Sequence, residues 1–423
     1  MTLGAVLMLG GITGGRGDEL SDSVGLGAAS SSGGFVLPSI PENWADMPFQ
    51  MTANEVVSYN SNILANPTNA VLVPGQLRGD FTSTTTVGVS TKAYWYGQQF
   101  FFTGDYGLVR YHHLTDEDSN IYTFTAGDNW TLTSRCAGSV VTNLTKSPTL
   151  ITEQVGTGIN YATTTAVSET GKCDVSNGYA LVVNSGWTKT NNSGGLNAVN
   201  NGETVMVAAG IEYAKAQDTV TALATISNTN YGNRTGLLTT PVVGLANNVA
   251  FHSFTLNYSR QIDPNLTVVG QVGLVGVTSG FDLSLPKTLL PTYSLSAAWT
   301  VTPKVAVTAS GSRTIAPPTT VVGNAQTSYQ ANVGLTYQAT PKVAFGATAS
   351  AAYTSTAFTP GLAGTINSTL LAATDYYSAT GSVTYTVTPF ISAALTAAYT
   401  QRVSNHTMTP QDVITLSLNY APH

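Results

Sequence analysis

Through most of the carboxyl half, apolar and polar residues alternate with a period of two. Before Pro341, Tyr329, Ala331, Val333, Leu335 and Tyr337 share one parity; Ser328, Gln330, Asn332, Thr336 and Gln338 share the other. Before Pro303, Tyr293, Leu295, Ala297 and Trp299 oppose Ser294, Ser296 and Thr300. Before Pro389, Tyr377, Ala379, Val383 and Tyr385 oppose Ser378, Thr380, Ser382, Thr384 and Thr386. The segments after the prolines continue the rule. Val343, Phe345, Ala347, Ala349, Ala351 and Tyr353 oppose Thr348 and Ser350. Ile391, Ala393, Leu395, Ala397 and Tyr399 oppose Ser392, Thr396, Thr400 and Arg402. At the end, Ile414, Leu416, Leu418 and Tyr420 oppose Thr415, Ser417 and Asn419. Successive side chains of a strand point to opposite faces, so this period predicts strands; a helix would scatter the same residues around its axis.

The strands are punctuated by a repeated phrase. AAWTVTPKVAVTASG (297–311) and LTYQATPKVAFGATAS (335–350) share Thr-Pro-Lys-Val-Ala, and LNYSRQIDPNLTVVGQ (256–271) and VTYTVTPFISAALTAAYT (383–400) are looser copies. Their prolines, Pro264, Pro303, Pro341 and Pro389, lie 39, 38 and 48 residues apart by subtraction. Such a period marks a repeated supersecondary unit. Proline cannot donate to a ladder and fixes φ, so each phrase reads as a tight turn with a strand on either side. Tyr258, Trp299, Tyr337 and Tyr385 stand four to six residues before a turn proline, on the apolar parity. Tyr353 and Tyr399 follow one by ten to twelve residues, and Tyr420 ends the last strand. Aromatic residues at both ends of an apolar band are what a membrane-crossing strand needs at its two interfaces. Hydrocarbon offers no hydrogen bonds to a sheet edge, so the expected fold is all-β: a closed, antiparallel up-and-down transmembrane barrel. Longer connections such as 314–326 and 359–369 alternate with the short turns, as in outer-membrane barrels.

The pattern weakens towards the amino terminus. Hairpins are expected around Lys215 to Asp218, near Gly97, at Gly127-Asp128-Asn129 and around Gly171 to Gly178. Eight turns imply sixteen strands; a first strand near Asn54 to Leu64 and the last at Val413 to Tyr420 make eighteen. A barrel of that size encloses an aqueous lumen.

Composition agrees. Only 9% of residues are charged, against about 25% in an ordinary soluble domain, so much of the surface is expected not to meet water. No apolar run is long enough for a membrane helix. The net charge of −6 without a basic block argues against nucleic acid. Residues 1–15 are apolar but lack a basic start, and 17–34 are linker-like. Residues 1–50 are therefore read as a signal remnant with a periplasmic linker, and 51–423 as the barrel. Cys136 and Cys173 either pair in an oxidising compartment or stay free thiols.

VVSYNSNILANPTN (56–69), followed by alternating strands with Tyr-x-x-Thr-Pro-Lys-Val-Ala turns, resembles the β-barrel porin 2 family of Gram-negative outer membranes. Tyr59, Asn62 and Ile63 match its Tyr-x-x-Asn-Ile-like opening segment, and the resemblance spans Ala53 to Tyr420. It implies outer-membrane lipid and lipopolysaccharide as surroundings, and the barrel-assembly machinery as a partner. The chain departs from the usual ending, because Ala421, Pro422 and His423 follow the terminal aromatic. The family carries an association with envelope polysaccharide traffic.

The residues expected to face the lumen are Ser294, Ser296, Thr300, Ser328, Gln330, Asn332, Thr336, Thr384, Thr396, Arg402, Thr415 and Asn419. They form a neutral hydroxyl and amide lining with one charge, which suits small hydrophilic solutes. Arg260 and Arg313 fall on the apolar parity and are expected at the interfaces, where they can snorkel. A saccharide or exopolysaccharide conduit, or a structural or adhesive barrel without transport, are the alternatives. Homo-oligomerisation is left open. Of the five histidines (His112, His113, His252, His406 and His423) none accompanies a nucleophile motif, so no enzyme and no cofactor are expected. The densest polar cluster, His112, His113, Asp116, Glu117 and Asp118, has oxygen donors for a divalent cation but not the spacing of an EF-hand loop. It is read as a solvated outer loop, and no metal site is assigned.

Overall fold

The computed structural model describes residues 49–64, 78–96, 98–148, 159–193, 201–232, 246–279, 289–317, 325–357, 373–404 and 407–421. Among these, eighteen strands form one sheet. The first nine are β1 (Gln50–Asn60), β2 (Asp80–Trp95), β3 (Gln98–Tyr111), β4 (Ser119–Thr133), β5 (Cys136–Pro148), β6 (Tyr161–Ser176), β7 (Tyr179–Asn192), β8 (Gly202–Lys215) and β9 (Asp218–Asn230). The rest are β10 (Asn248–Asp263), β11 (Leu266–Ser279), β12 (Leu289–Thr302), β13 (Val305–Ala316), β14 (Ala325–Thr340), β15 (Val343–Ala357), β16 (Thr374–Thr388), β17 (Ile391–Ser404) and β18 (Thr407–Tyr420). Each pairs antiparallel with its sequence neighbour, and β1 also pairs with β18 over Ala53–Asn60 against Tyr420–Val413. The ring is closed and no edge is left open.

Paired residues of an antiparallel ladder point to the same side, so one known face fixes the rest. Exposed Leu416, Val333, Leu295, Phe254 and Val183 define the outward face. Through the registers, that face runs continuously around the ring. The seven expected girdle residues, Tyr258, Trp299, Tyr337, Tyr353, Tyr385, Tyr399 and Tyr420, all lie on it, each 40–49% exposed. Aromatic pairs cross the ladder at both ends of the band: Tyr329 with Tyr353 at 6.0 Å and Tyr337 with Phe345 at 6.2 Å between ring centroids.

The repeated phrase has a local cause. All eight connections at one end hold two residues, and the proline fills the first position of four of them. The residue before that proline turns its side-chain oxygen onto the turn. Thr340 Oγ1 accepts from the N–H of Lys342 at 3.2 Å and of Val343 at 3.1 Å. Thr388 Oγ1 does the same for Phe390 and Ile391, Thr302 Oγ1 accepts from Lys304 N–H, and Asp263 Oδ1 accepts from Asn265 N–H at 2.6 Å. Thr133 plays this part without a proline, capping Arg135 and Cys136. The hydroxyl satisfies donors that the narrow turn leaves without ladder partners. A register irregularity lies beside each of these turns, where the extra residue raises the twist. The β6–β7 turn differs: Asn177 and Gly178 both have positive φ (51° and 84°), the conformation that Asn-Gly favours in a two-residue hairpin.

The turns also bind their neighbours. The second turn residue offers its carbonyl to the next hairpin. Lys304 O accepts from Gln338 N–H, Lys342 O from Thr386 N–H and Phe390 O from Ala421 N–H. The same bond recurs from Asp174 to Arg135, Ala214 to Gly178, Gln261 to Gln217 and Thr300 to Asn265.

Several sequence expectations shift. The first strand starts at Gln50 and ends at Asn60, not at Asn54 and Leu64. Gly127-Asp128-Asn129 is not a turn: β4 continues to Thr133, and the hairpin closes at Ser134-Arg135. Phe101, from the inward face of β3, lies over Gly127, which explains a glycine inside a strand. Gly171 is likewise within β6, and only Asn177-Gly178 turn. Cys136 and Cys173 sit directly opposite each other on β5 and β6 and are joined as a disulfide. Residues 1–48, which make up nearly all of the expected leader and linker, and the loop 359–369 lie outside the described residues, as do His406 and His423.

Candidate functional site: the lumen and its outer mouth

The register places every residue assigned to the lumen on the inward face. Ser294 and Ser296 pair with Ser312 and Ser310, Thr336 with Ala306, and Thr384 with Ala394. Ser328, Gln330 and Asn332 pair with Thr354, Ala352 and Ser350. Thr396 faces Ser382 and Thr415, Asn419 faces Ser392, and Thr300 faces Ala306. Hydroxyls and amides bridge the strands here. Ser350 and Ser378 lie 2.5 Å apart, Asn332 Nδ2 donates to Ser310 Oγ at 3.4 Å, and Ser294 Oγ donates to Gln271 Oε1 at 3.4 Å. The ladder continues on the far side through Thr204 with Thr229, Ser139 with Thr170 and Asn143 with Thr125.

The two sides of the lumen differ. Along β7 to β9 the inward residues Ala180, Val182, Asn184, Ala208, Glu212, Thr221 and Leu223 are buried. Along β14 the inward Asn332 and Thr336 are exposed. A hollow of about 200 Å³ on the β11–β14 wall is lined by Thr267, Ser296, Thr308, Ser310 and Asn332 together with Val269 and three alanines.

Arg402 is not the lone inward charge. Parity also turns Lys92, Asp105, Lys172 and Glu212 inward. Lys172 Nζ meets Glu212 Oε1 at 2.6 Å, and Thr221 Oγ1 adds a longer contact to the same carboxylate. Arg402 pairs across the ladder with Tyr376 and Thr409, both inward. Sequence reading missed the β2–β8 charges because alternation there is broken: Glu55, Asp128 and Glu169 occupy the outward parity. Glu55 is held by Ser83 Oγ at 2.6 Å and Thr85 Oγ1 at 2.5 Å, both outward-facing on β2. Arg313 spreads over the Tyr329 ring and donates to Pro291 O near the long-loop end. Arg260 lies by Asp218 near the turn end, with Nε 3.7 Å from Oδ1.

Apolar side chains form two buried clusters at the long-loop end of the barrel. Val109, Tyr111 and Ile121, inward on β3 and β4, pack with Ile63, Leu64, Ile159 and Tyr161. Val249, Phe251 and Val275, inward on β10 and β11, pack with Tyr231, Ile315 and Ala325. Asn62 and Ile63, matched to the resembled family, are buried in the strand-to-loop corner, where Asn62 Nδ2 donates to Pro410 O at 2.9 Å.

Beside this corner the polar cluster resolves into two separate arrangements. Asp118 is structural: Oδ1 accepts the Tyr111 N–H and Oδ2 meets Arg110 at 3.3 Å, closing the short connection around the 3-10 turn Thr115–Glu117. His113 turns instead to Asp80 at the start of β2, a partner that the sequence places 33 residues away, and the His112 ring packs against His113. Asp80 is 1% exposed and accepts from the N–H groups of Phe81, His113 and Leu114.

No family model matches the chain, and no curated protein does. Solved structures do. OpdL of Pseudomonas aeruginosa is 10% identical, with 89% of this chain and 99% of that one covered and a TM-score of 0.46. OccK2 (OpdF) of the same organism, solved in complex with glucuronate, is 10% identical, with 90% and 99% covered and a TM-score of 0.46. The siderophore receptor PirA of Pseudomonas aeruginosa is 11% identical, with 88% and 80% covered and a TM-score of 0.42.

Proposed function

We propose that this barrel is an outer-membrane channel that passes small hydrophilic solutes passively. The closed ring, the outward apolar band and its aromatic ends support insertion in a bilayer, where an open edge could not persist. Eight two-residue turns at one end, and connections at the other that are longer in every case but 405–406, support the orientation with the turns in the periplasm. The observation that carries the transport reading is the open inward wall of β11 to β14. Hydroxyls and amides line it, and its described inward side chains carry no charge. Such a wall replaces water around neutral and weakly charged solutes without selecting strongly for ion sign. Elsewhere among the described inward positions, the cations Lys92, Lys172 and Arg402 stand against the anions Asp105, Asp174 and Glu212, with buried Asp80 at the long-loop end.

The test is single-channel conductance of the refolded protein in a planar bilayer, with neutral sugars added as blockers. Steps of weak ion selectivity that sugars dampen are the expected result. A protein folded by circular dichroism that gives no steps would remove the diffusion reading. It would leave a conduit that needs partners, or a structural barrel.

A further inference from the structure

We propose that the outer mouth carries a divalent transition-metal site built from His112 and His113, with Asp80 as the residue that positions them. The three side chains bring one ligand atom each to within 4.8 Å of one another. They do so from two chain segments, the start of β2 and the connection after β3.

The chemistry separates their roles. Asp80 is buried, and its oxygens already accept three backbone N–H groups, so it is fixed in place and has little lone-pair capacity left. Its Oδ1 lies 3.0 Å from His113 Nδ1. A carboxylate in that place holds the imidazole proton on Nδ1 and leaves Nε2 as the basic nitrogen. This is the carboxylate–histidine arrangement found behind metal-bound histidines. His112 Nδ1 lies 3.2 Å from both ring nitrogens of His113, with the two rings edge to face. Two nitrogens bound to one tetrahedral ion at the usual Zn–N length stand about 3.3 Å apart, so with His113 held by Asp80 the His112 ring has to turn for the pair to share an ion. Both rings are exposed, and water completes the coordination. Two imidazoles select zinc, copper or nickel over calcium and magnesium, which prefer oxygen. The acidic residues that drew attention to this loop are not needed: Asp118 is committed to Tyr111 and Arg110.

The site can be tested without any assumption that the barrel conducts. Untagged, full-length protein refolded in detergent is titrated with Zn²⁺ against a chromophoric chelator, and with Cu²⁺ under electron paramagnetic resonance. We expect one equivalent bound at micromolar concentration, with nitrogen hyperfine structure in the copper spectrum. His112→Ala and His113→Ala should each weaken binding about tenfold or more, and the double variant should abolish it, while His252→Ala serves as a control that leaves it unchanged. Asp80→Asn should weaken binding by about 10–100-fold with the nitrogen signature retained; unchanged affinity in that variant would remove its positioning role. Absence of stoichiometric binding, or binding that survives the double histidine variant, would overturn the site.

Discussion

The assignment of inside and outside can be tested at two adjacent residues. Val333 and Asn332 lie near the middle of β14, Val333 eight residues from its start and seven from its end by subtraction. Val333 is 55% exposed on the outward face, between Ala309 on β13 and Ala349 on β15. Asn332 faces the lumen beside Ser310 and Ser350. An arginine at Val333 must place its charge near the middle of the hydrocarbon, with only alanines as cross-strand neighbours. The expected cost is about 2–4 kcal/mol, which lowers the folded-to-unfolded ratio roughly 30- to 1000-fold. An arginine at Asn332 meets water and hydroxyls, and the expected change is within about 0.5 kcal/mol. The assay is reversible urea unfolding from lipid vesicles, read by tryptophan fluorescence and by the heat-dependent gel mobility of folded barrels. Equal losses in Val333→Arg and Asn332→Arg, or a larger loss in the second, would refute the parity and with it the lumen.

Three further outcomes follow from the same geometry. Removing the turn caps in Thr302→Ala, Thr340→Ala and Thr388→Ala should each cost about 0.5–1.5 kcal/mol, nearly additively because the turns are separate, as read by urea midpoints. Reducing the Cys136–Cys173 bond, which closes 37 residues of sequence separation, should lower stability by about 2–4 kcal/mol, seen as a lower midpoint in dithiothreitol and in Cys136→Ser. Glu212→Gln removes an inward negative charge and leaves Lys172 without its partner. The reversal potential in a salt gradient should move towards anion selectivity, with a stability loss near 1 kcal/mol for a partly exposed pair.

The carboxyl half of the barrel was legible because its two environments differ sharply. Where the outward residues are Val, Leu, Ala and Tyr and the inward ones Ser, Thr and Asn, period two stands out, and a proline after Thr or Asp marks each turn. In the amino half the same architecture is written less clearly. Glu55, Asp128 and Glu169 face outward, while Val141, Val182 and Leu223 face inward and are buried. Gly127-Asp128-Asn129 has turn chemistry but lies inside a strand, because tertiary pairing overrides a local preference when a ladder runs on both sides. The outer-mouth cluster was half visible. Two histidines and three acids are adjacent in sequence, yet the acid that meets the histidines comes from another strand, and no local pattern encodes that register.

The carbonyl that seven described turns lend to the next strand round the ring makes much of the barrel a chain of like couplings. At these turns the following segment docks on the preceding hairpin at the same backbone atom, whatever the side chains above. Circumference is therefore set by how many such units are joined, not by a unique closing element. Excising the unit β14–β15 would bring the Thr386 N–H to the carbonyl of Lys304, which presents the same docking atom as Lys342. A family of barrels differing by two strands is thus reachable by duplication or loss of roughly forty residues, with the register copied from one hairpin to the next.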